Sequence, residues 1–152
     1  YDELNAVLAR PSVVPDPLDA RRLLEALRSV RASADFEALA VAFKRVKNLS
    51  RDLKVPPAAT LDRLTEPAEI ALREEIESRA TAIRAAVASR HYDRAFGIAS
   101  GFRPAVDRFF TDIFVMVDDE GLKVQRLTLL RRLHELLLEL ADISEIIPHK
   151  ES

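Results

Sequence analysis

Between Leu122 and Ala141 leucine recurs too densely for an ordinary surface helix. At about 100° per residue, Leu122, Leu127, Leu129, Leu130, Leu133, Leu136, Leu137, Leu138 and Leu140 spread over well more than half the circumference. A helix on a protein surface needs an apolar stripe of only about 100°. The wider arc predicts a helix covered on two sides, with the remaining helices packed around it. Thr128, Arg131, Arg132, Glu135, Glu139 and Asp142 form its polar remainder. Arg126 breaks the pattern because it falls inside the apolar arc. A charge in that position requires a partner. Three carboxylates close by in sequence are the candidates: Asp107, Asp118 and Asp119.

The rest of the chain reads as helices punctuated by proline. A short helix is expected over 2–9, followed by a proline-rich turn over 10–16. Asp16-Pro17 gives a cap and a first-turn proline for a helix reaching about Ala32, with Leu23, Leu24, Leu27 and Val30 inward. Asp35 is expected to cap the next helix, which runs to about Leu53. Its inward residues are Phe36, Leu39, Phe43, Val46, Leu49 and Leu53. The stretch 54–66 contains Pro56-Pro57 and is irregular. Pro67 opens an alanine-rich helix to about Ser89, a shorter one follows to Phe102, and Pro104 starts another. In that last helix Val106, Phe109, Phe110, Ile113 and Phe114 are expected to face inward. The fold class is therefore all-α: a single helical bundle of about six to seven helices with a central leucine-rich carboxy-terminal helix. All 152 residues are read as one domain. The start at Tyr1, inside or just before a helix, reads as a piece of a longer polypeptide.

Chemistry is sparse. With no cysteine, disulfides, thiolate metal sites and a cysteine nucleophile are excluded. His91, His134 and His149 are far apart, and His134-Glu135 lacks the second histidine of a zinc-protease helix. Asp107, Asp112, Asp118, Asp119 and Glu120 form an acidic neighbourhood. It reads either as a Mg²⁺ site or as helix capping with a partner for Arg126, and the second reading is expected, with no metal. No glycine-rich phosphate loop or nucleophile elbow is present, so no catalytic residues and no cofactor are assigned to this chain. The cysteine-free composition fits a cytoplasmic protein, and no apolar run approaches the roughly 20 residues of a membrane-spanning helix. The net charge of −2 rules out a general polyanion binder, so any nucleic-acid contact must come from a local patch.

One such patch is legible. Lys44, Lys47, Arg51 and Lys54 fall within roughly 80° on a helical wheel, with Asn48 beside them. A cationic stripe next to an apolar face suits phosphate contacts, and asparagine can read a base edge. A solvated helix face is the other reading of the same residues. Arg45 lies on the other side of the helix, near Asp52.

Two stretches carry a family resemblance. Phe36-Glu37-Ala38-Leu39-Ala40 with Lys44-Arg45-Val46-Lys47-Asn48-Leu49 resembles a region near the end of the bacterial glycyl-tRNA synthetase beta subunit. Val106-Asp107, Phe109-Phe110, Val115-Met116-Val117-Asp118-Asp119, Leu122, Arg126-Leu127, Leu129-Leu130 and Ala141-Asp142-Ile143-Ser144 resemble that subunit's ending. Thr65-Glu66-Pro67-Ala68-Glu69-Ile70 and Tyr92-Asp93-Arg94-Ala95 fit between them in order. The resemblance implies an all-helical anticodon-binding domain of the DALR type, shared with arginyl-tRNA synthetases. It implies glycine tRNA and a catalytic alpha subunit or domain as partners, with ATP used elsewhere in the parent enzyme. Lys44 and Asn48 match the family's basic helix, Arg126 its arginine, and Asp118 and Asp119 its paired aspartates. Phe43 and Gln125 depart from it by replacing asparagines, and Lys123 replaces an arginine. If those asparagines read bases, readout changes here; if they pack or cap, nothing is lost. The alternative function is a helical module that docks a partner subunit or domain without touching RNA. Its signature is a broad exposed apolar patch and little electrostatic asymmetry.

Overall fold

A computed structural model of the chain describes residues 3, 6, 17–51 and 56–141. The expected turn over 10–16, most of the expected helix over 2–9, Asp52, Leu53, Lys54 and Asp142 onward lie outside the described residues. Among the described residues there are six principal α-helices and no strand. They are α1 (Pro17–Val30), α2 (Ala34–Arg51), α3 (Pro67–Ala88), α4 (Tyr92–Ser100), α5 (Arg103–Asp112) and α6 (Glu120–Leu138).

Local chemistry sets most of these boundaries. Pro17 opens α1 and Pro67 opens α3, where the missing N–H has no helical partner to lose. Glu69 reaches back to accept the backbone N–H of Glu66 at 3.3 Å, which is one half of a capping box. α3 ends in a Schellman turn. His91 N–H donates to Ala86 O at 2.8 Å and Arg90 N–H to Val87 O at 3.0 Å. Arg90 takes the left-handed conformation there, φ 59°, where glycine is usual. The expected cap of α2 is displaced by two residues: Ser33 Oγ accepts the Phe36 N–H at 3.3 Å. Asp35 instead sits in the first turn and accepts from Arg103 Nη1 of α5 at 2.8 Å.

α6 is buried as its leucine arc predicts. Six consecutive residues, Gln125 to Leu130, are all buried, which requires cover on two sides. That cover comes from α2 and α3. α2 and α3 also pack against α4 and α5, and α1 packs on α4. Phe36 and Phe96 meet edge to face in this core, with ring centroids 5.8 Å apart.

The segment 56–66 has no helix of its own and is stapled to α6. Leu61 and Leu64 are buried. Thr128 Oγ1 accepts the Ala58 N–H at 2.9 Å while donating to Val124 O at 2.7 Å. Gln125 Oε1 accepts the Arg63 N–H, and its Nε2 donates to Asp62 Oδ1, both at 2.9 Å. Gln125 is therefore a clamp on this segment. Gln125→Ala is expected to cost about 1–2 kcal/mol by leaving a partly buried N–H unpaired. Urea denaturation would measure the loss, and the Arg63 amide should exchange faster than in the parent.

Of two inward assignments, Phe43 holds and Phe114 changes. Phe43 is 1% exposed and packs on His134 with ring centroids 5.1 Å apart, so this departure from the family pattern is a packing residue. Phe114 is not inward. α5 stops at Asp112, and Ile113 is extended at φ −113°, ψ 125°. Side chains then alternate in direction. Ile113 and Val115 are buried, and Phe114 and Met116 point outward.

The buried arginine has a different partner from the one expected. Arg126 is buried, and its Nε donates to Glu69 Oε2 of α3 at 3.3 Å. Its Nη1 donates to the Phe114 carbonyl at 2.8 Å. None of Asp107, Asp118 and Asp119 supplies the carboxylate. All three are exposed: Asp107 lies midway along α5, and Asp118 and Asp119 lie just before α6. Glu69 wins because α3 turns its first-turn carboxylate toward α6, where it is fully buried.

Candidate nucleic-acid interface

The buried row Phe36, Leu39, Ala40, Phe43 and Val46 fixes the rotation of α2. With that row inward, helical geometry turns Lys44, Asn48 and Arg51 to the outside, and all three are exposed. Lys47 is half-buried at the edge of the same face. Lys54 lies outside the described residues. Arg51 Nη2 donates to Asn48 Oδ1 one turn back, which orders both side chains. The asparagine carbonyl is thus occupied, and its amide nitrogen remains as a donor. Lys44, Lys47 and Arg51 form a cationic ridge along the helix.

A groove flanks the ridge on each side. On the Lys47 side, Lys47, Ser50 and Arg51 of α2 face Arg131, His134, Glu135 and Leu138 of α6 across an open space of about 380 Å³. Arg131 Nε meets Glu135 at 3.1 Å, so the groove keeps a cationic excess. On the opposite side, Arg45 and Leu49 face Phe110 and the segment from Ile113 to Met116. The Arg45 guanidinium lies 4.2 Å from the centroid of the Phe110 ring, a cation–π contact. Arg45, set aside in the sequence as a neighbour of Asp52, is exposed and extends the basic surface of α2.

Sequence reasoning did not connect Arg131, Arg45 or Phe114 with the ridge. Arg131 was visible only as a polar position on the leucine helix. It joins the ridge through the packing of α6 on α2, which no local pattern encodes. Phe114 had a usable signal, because an apolar run of five residues after α5 suits an extended segment as well as a helix.

The acidic neighbourhood is taken up by the fold. Asp107 pairs with Arg103 at 3.4 Å and Asp112 with Arg108 at 3.6 Å. Asp119 caps α6 by accepting the Leu122 N–H at 3.2 Å, and it also pairs with the Arg63 guanidinium. Asp118 is exposed. Among the described residues no group of three or more His, Asp or Glu side chains is placed to hold a metal ion. None of the described helices is long and apolar enough to cross a membrane.

The Arg63 hydrogen bonds hold the Asp119 carboxyl well below the usual carboxylate range, and the Leu122 N–H adds to this. Reciprocally, Asp119 raises the Arg63 guanidinium. A depressed carboxyl stabilises the fold above its unfolded value, near 3.8, and that contribution fades as acid protonates it. The expected result is a Tm contribution that is flat from neutral pH to about 5 and falls below about 4. In Asp119→Asn this part of the acid dependence should be absent. Thermal melts of both proteins across pH 3–7 check it; parallel acid profiles would count against the pair.

The model of the DALR anticodon binding domain matches residues 39–149, which include most of α2 and all of α3 to α6. The chain is 43% identical over 150 residues to a glycine–tRNA ligase beta subunit of Anaeromyxobacter dehalogenans, covering 95% of this chain and 21% of that protein. A Vibrio cholerae glycine–tRNA ligase beta subunit is 43% identical over 145 residues, with 94% and 21% covered. That of Acidithiobacillus ferrooxidans is 38% identical over 152 residues, with 95% and 21% covered. The chain spans about a fifth of the length of these relatives. With a match across most of its length and an all-helical fold to carry it, the chain belongs to the DALR anticodon-binding domain family.

Proposed function

We propose that this chain is a tRNA-binding module of a glycine–tRNA ligase, and that it holds glycine tRNA for aminoacylation by a catalytic alpha subunit or domain. The observation that carries the proposal is the cationic ridge of Lys44, Lys47 and Arg51, ordered around Asn48, on the exposed face of α2. Membership in an anticodon-binding family supports an RNA ligand over a solvated face. The likeness to glycine–tRNA ligase beta subunits supports glycine tRNA as that ligand. Lys54 belongs to the same stripe by its position in the sequence. The chemistry assigned to the ridge is phosphate neutralisation, with Asn48 donating to a phosphate or a base edge. ATP and glycine are handled elsewhere in the parent enzyme, which works in the cytoplasm.

Titration of the full-length protein with glycine tRNA and with a non-cognate tRNA, at several salt concentrations, tests this reading. Glycine tRNA should bind more tightly, and log affinity should fall linearly with log salt as counterions are released. Equal affinity for both tRNAs, or affinity indifferent to salt, would overturn it.

A further inference from the structure

Beside the ridge the fold presents an aromatic ring with no evident structural use. Phe114 is 73% exposed, the highest value among the large apolar residues described. Met116, 43% exposed, lines the same groove. A loose loop tip often carries such a residue, but this one is fixed. Its neighbours Ile113 and Val115 are anchored in the core on either side. Its carbonyl is pinned by Arg126, and Arg126 is locked in turn by Glu69. Val117 N–H closes on Val115 O at 3.0 Å. The backbone that presents the ring is thus fixed before any ligand arrives, which lowers the ordering cost of binding.

The surroundings narrow the choice of occupant. A stable protein interface buries about 800 Å² on each partner around an apolar centre. Leu18 and Val41, the other exposed large apolar residues among those described, do not line this groove. One ring and one thioether are too little for a docking core, but they match a single planar ligand. The groove is also continuous with the cationic ridge. Arg45, stacked on Phe110, forms its wall and follows Lys44 directly in sequence. Asn48 lies one turn from both Lys44 and Arg45. The acid in the groove, Asp112, is already met by Arg108. A polyanion running along the ridge would thus carry its bases past an exposed aromatic face.

We propose that Phe114, with Met116 beside it and Arg45 over Phe110 as the opposite wall, is a stacking platform for one unpaired nucleobase of the bound RNA. This deepens the tRNA-binding reading and rests on it. Stacking on an aromatic ring needs a π face and tolerates any base.

The test uses the full-length protein, glycine tRNA and three variants: Phe114→Ala, Phe114→Leu and Phe114→Trp. Phe114→Ala and Phe114→Leu should each weaken binding about tenfold, and Phe114→Trp should bind as well as the parent or better. The salt slope should stay unchanged in all three, because no phosphate contact is removed. Leucine preserves apolar bulk and abolishes the π face, so parental affinity in Phe114→Leu overturns the platform. So does parental tRNA affinity in Phe114→Ala, including the case in which that variant instead loses association with another polypeptide. If binding to the parent is salt-sensitive and falls on charge reversal of the ridge while Phe114→Ala is silent, the platform fails and the tRNA-binding reading stands. If neither change moves the affinity, both fail.

Discussion

Glu69→Ala is expected to lower the free energy of unfolding by about 3–5 kcal/mol, the usual cost of stranding one charge of a buried pair. The side chains of Glu69 and Arg126 are 1% and 9% exposed, so solvent cannot replace the lost partner. Alanine also removes the acceptor for the Glu66 N–H at the start of α3. Urea denaturation of the parent and variant measures the difference. Two further variants separate charge from packing. Glu69→Gln keeps the side-chain volume but only one acceptor oxygen for the Glu66 N–H and the Arg126 guanidinium, and it should fall between the parent and alanine. Glu69→Leu combined with Arg126→Met removes both charges and should recover much of the loss, because apolar replacement of a whole buried pair is often close to neutral. A Glu69→Ala variant as stable as the parent would mean that Arg126 reaches water or another carboxylate in solution.

The second large effect is on binding. Lys44→Glu combined with Arg51→Glu should weaken glycine tRNA binding by roughly 100-fold at low salt and reduce the salt slope by about two. Both side chains are exposed and neither is part of the core, so the melting temperature should move little. Arg51 is bonded to Asn48, so the reversal also frees Asn48 from its ordering contact. Lys44→Glu alone leaves that contact in place and should show about half of the change in slope. A double variant that melts like the parent and binds tRNA like the parent would remove the ridge from the interface.

Legibility in the sequence tracked how local each cause was. The leucine arc of α6 foretold two-sided burial because helical period alone determines it. The same holds for Phe36, Leu39, Phe43 and Val46 of α2, which are buried as their spacing required. The burial of Arg126 was visible from its place in the arc, but its partner was not. Glu69 lies 57 residues away in a helix whose many alanines make the inward face hard to tell from the outward one. Its carboxylate becomes a core group only once α3 is docked. Phe114 was misplaced because a helical pattern was extended past Asp112, where alternation had taken over. Of the binding surface, the ridge lay within one helix and could be read from it. The two flanking grooves are products of helix packing, so Arg131 and Phe114 gained their neighbours only in three dimensions.

The left-handed residue at the end of α3 has an evolutionary consequence. A side chain in this conformation carries a penalty of order 1–2 kcal/mol that glycine avoids. Arginine occupies the position all the same, and its Nε lies 3.7 Å from Asp19 of α1. Asp19 also accepts the Tyr92 hydroxyl of α4 at 2.5 Å. Local strain in one turn is thus coupled to a tether that draws α1, whose main packing is on α4, onto the α3–α4 corner. Drift to glycine at this site would relax the backbone and loosen the edge of the domain in the same step.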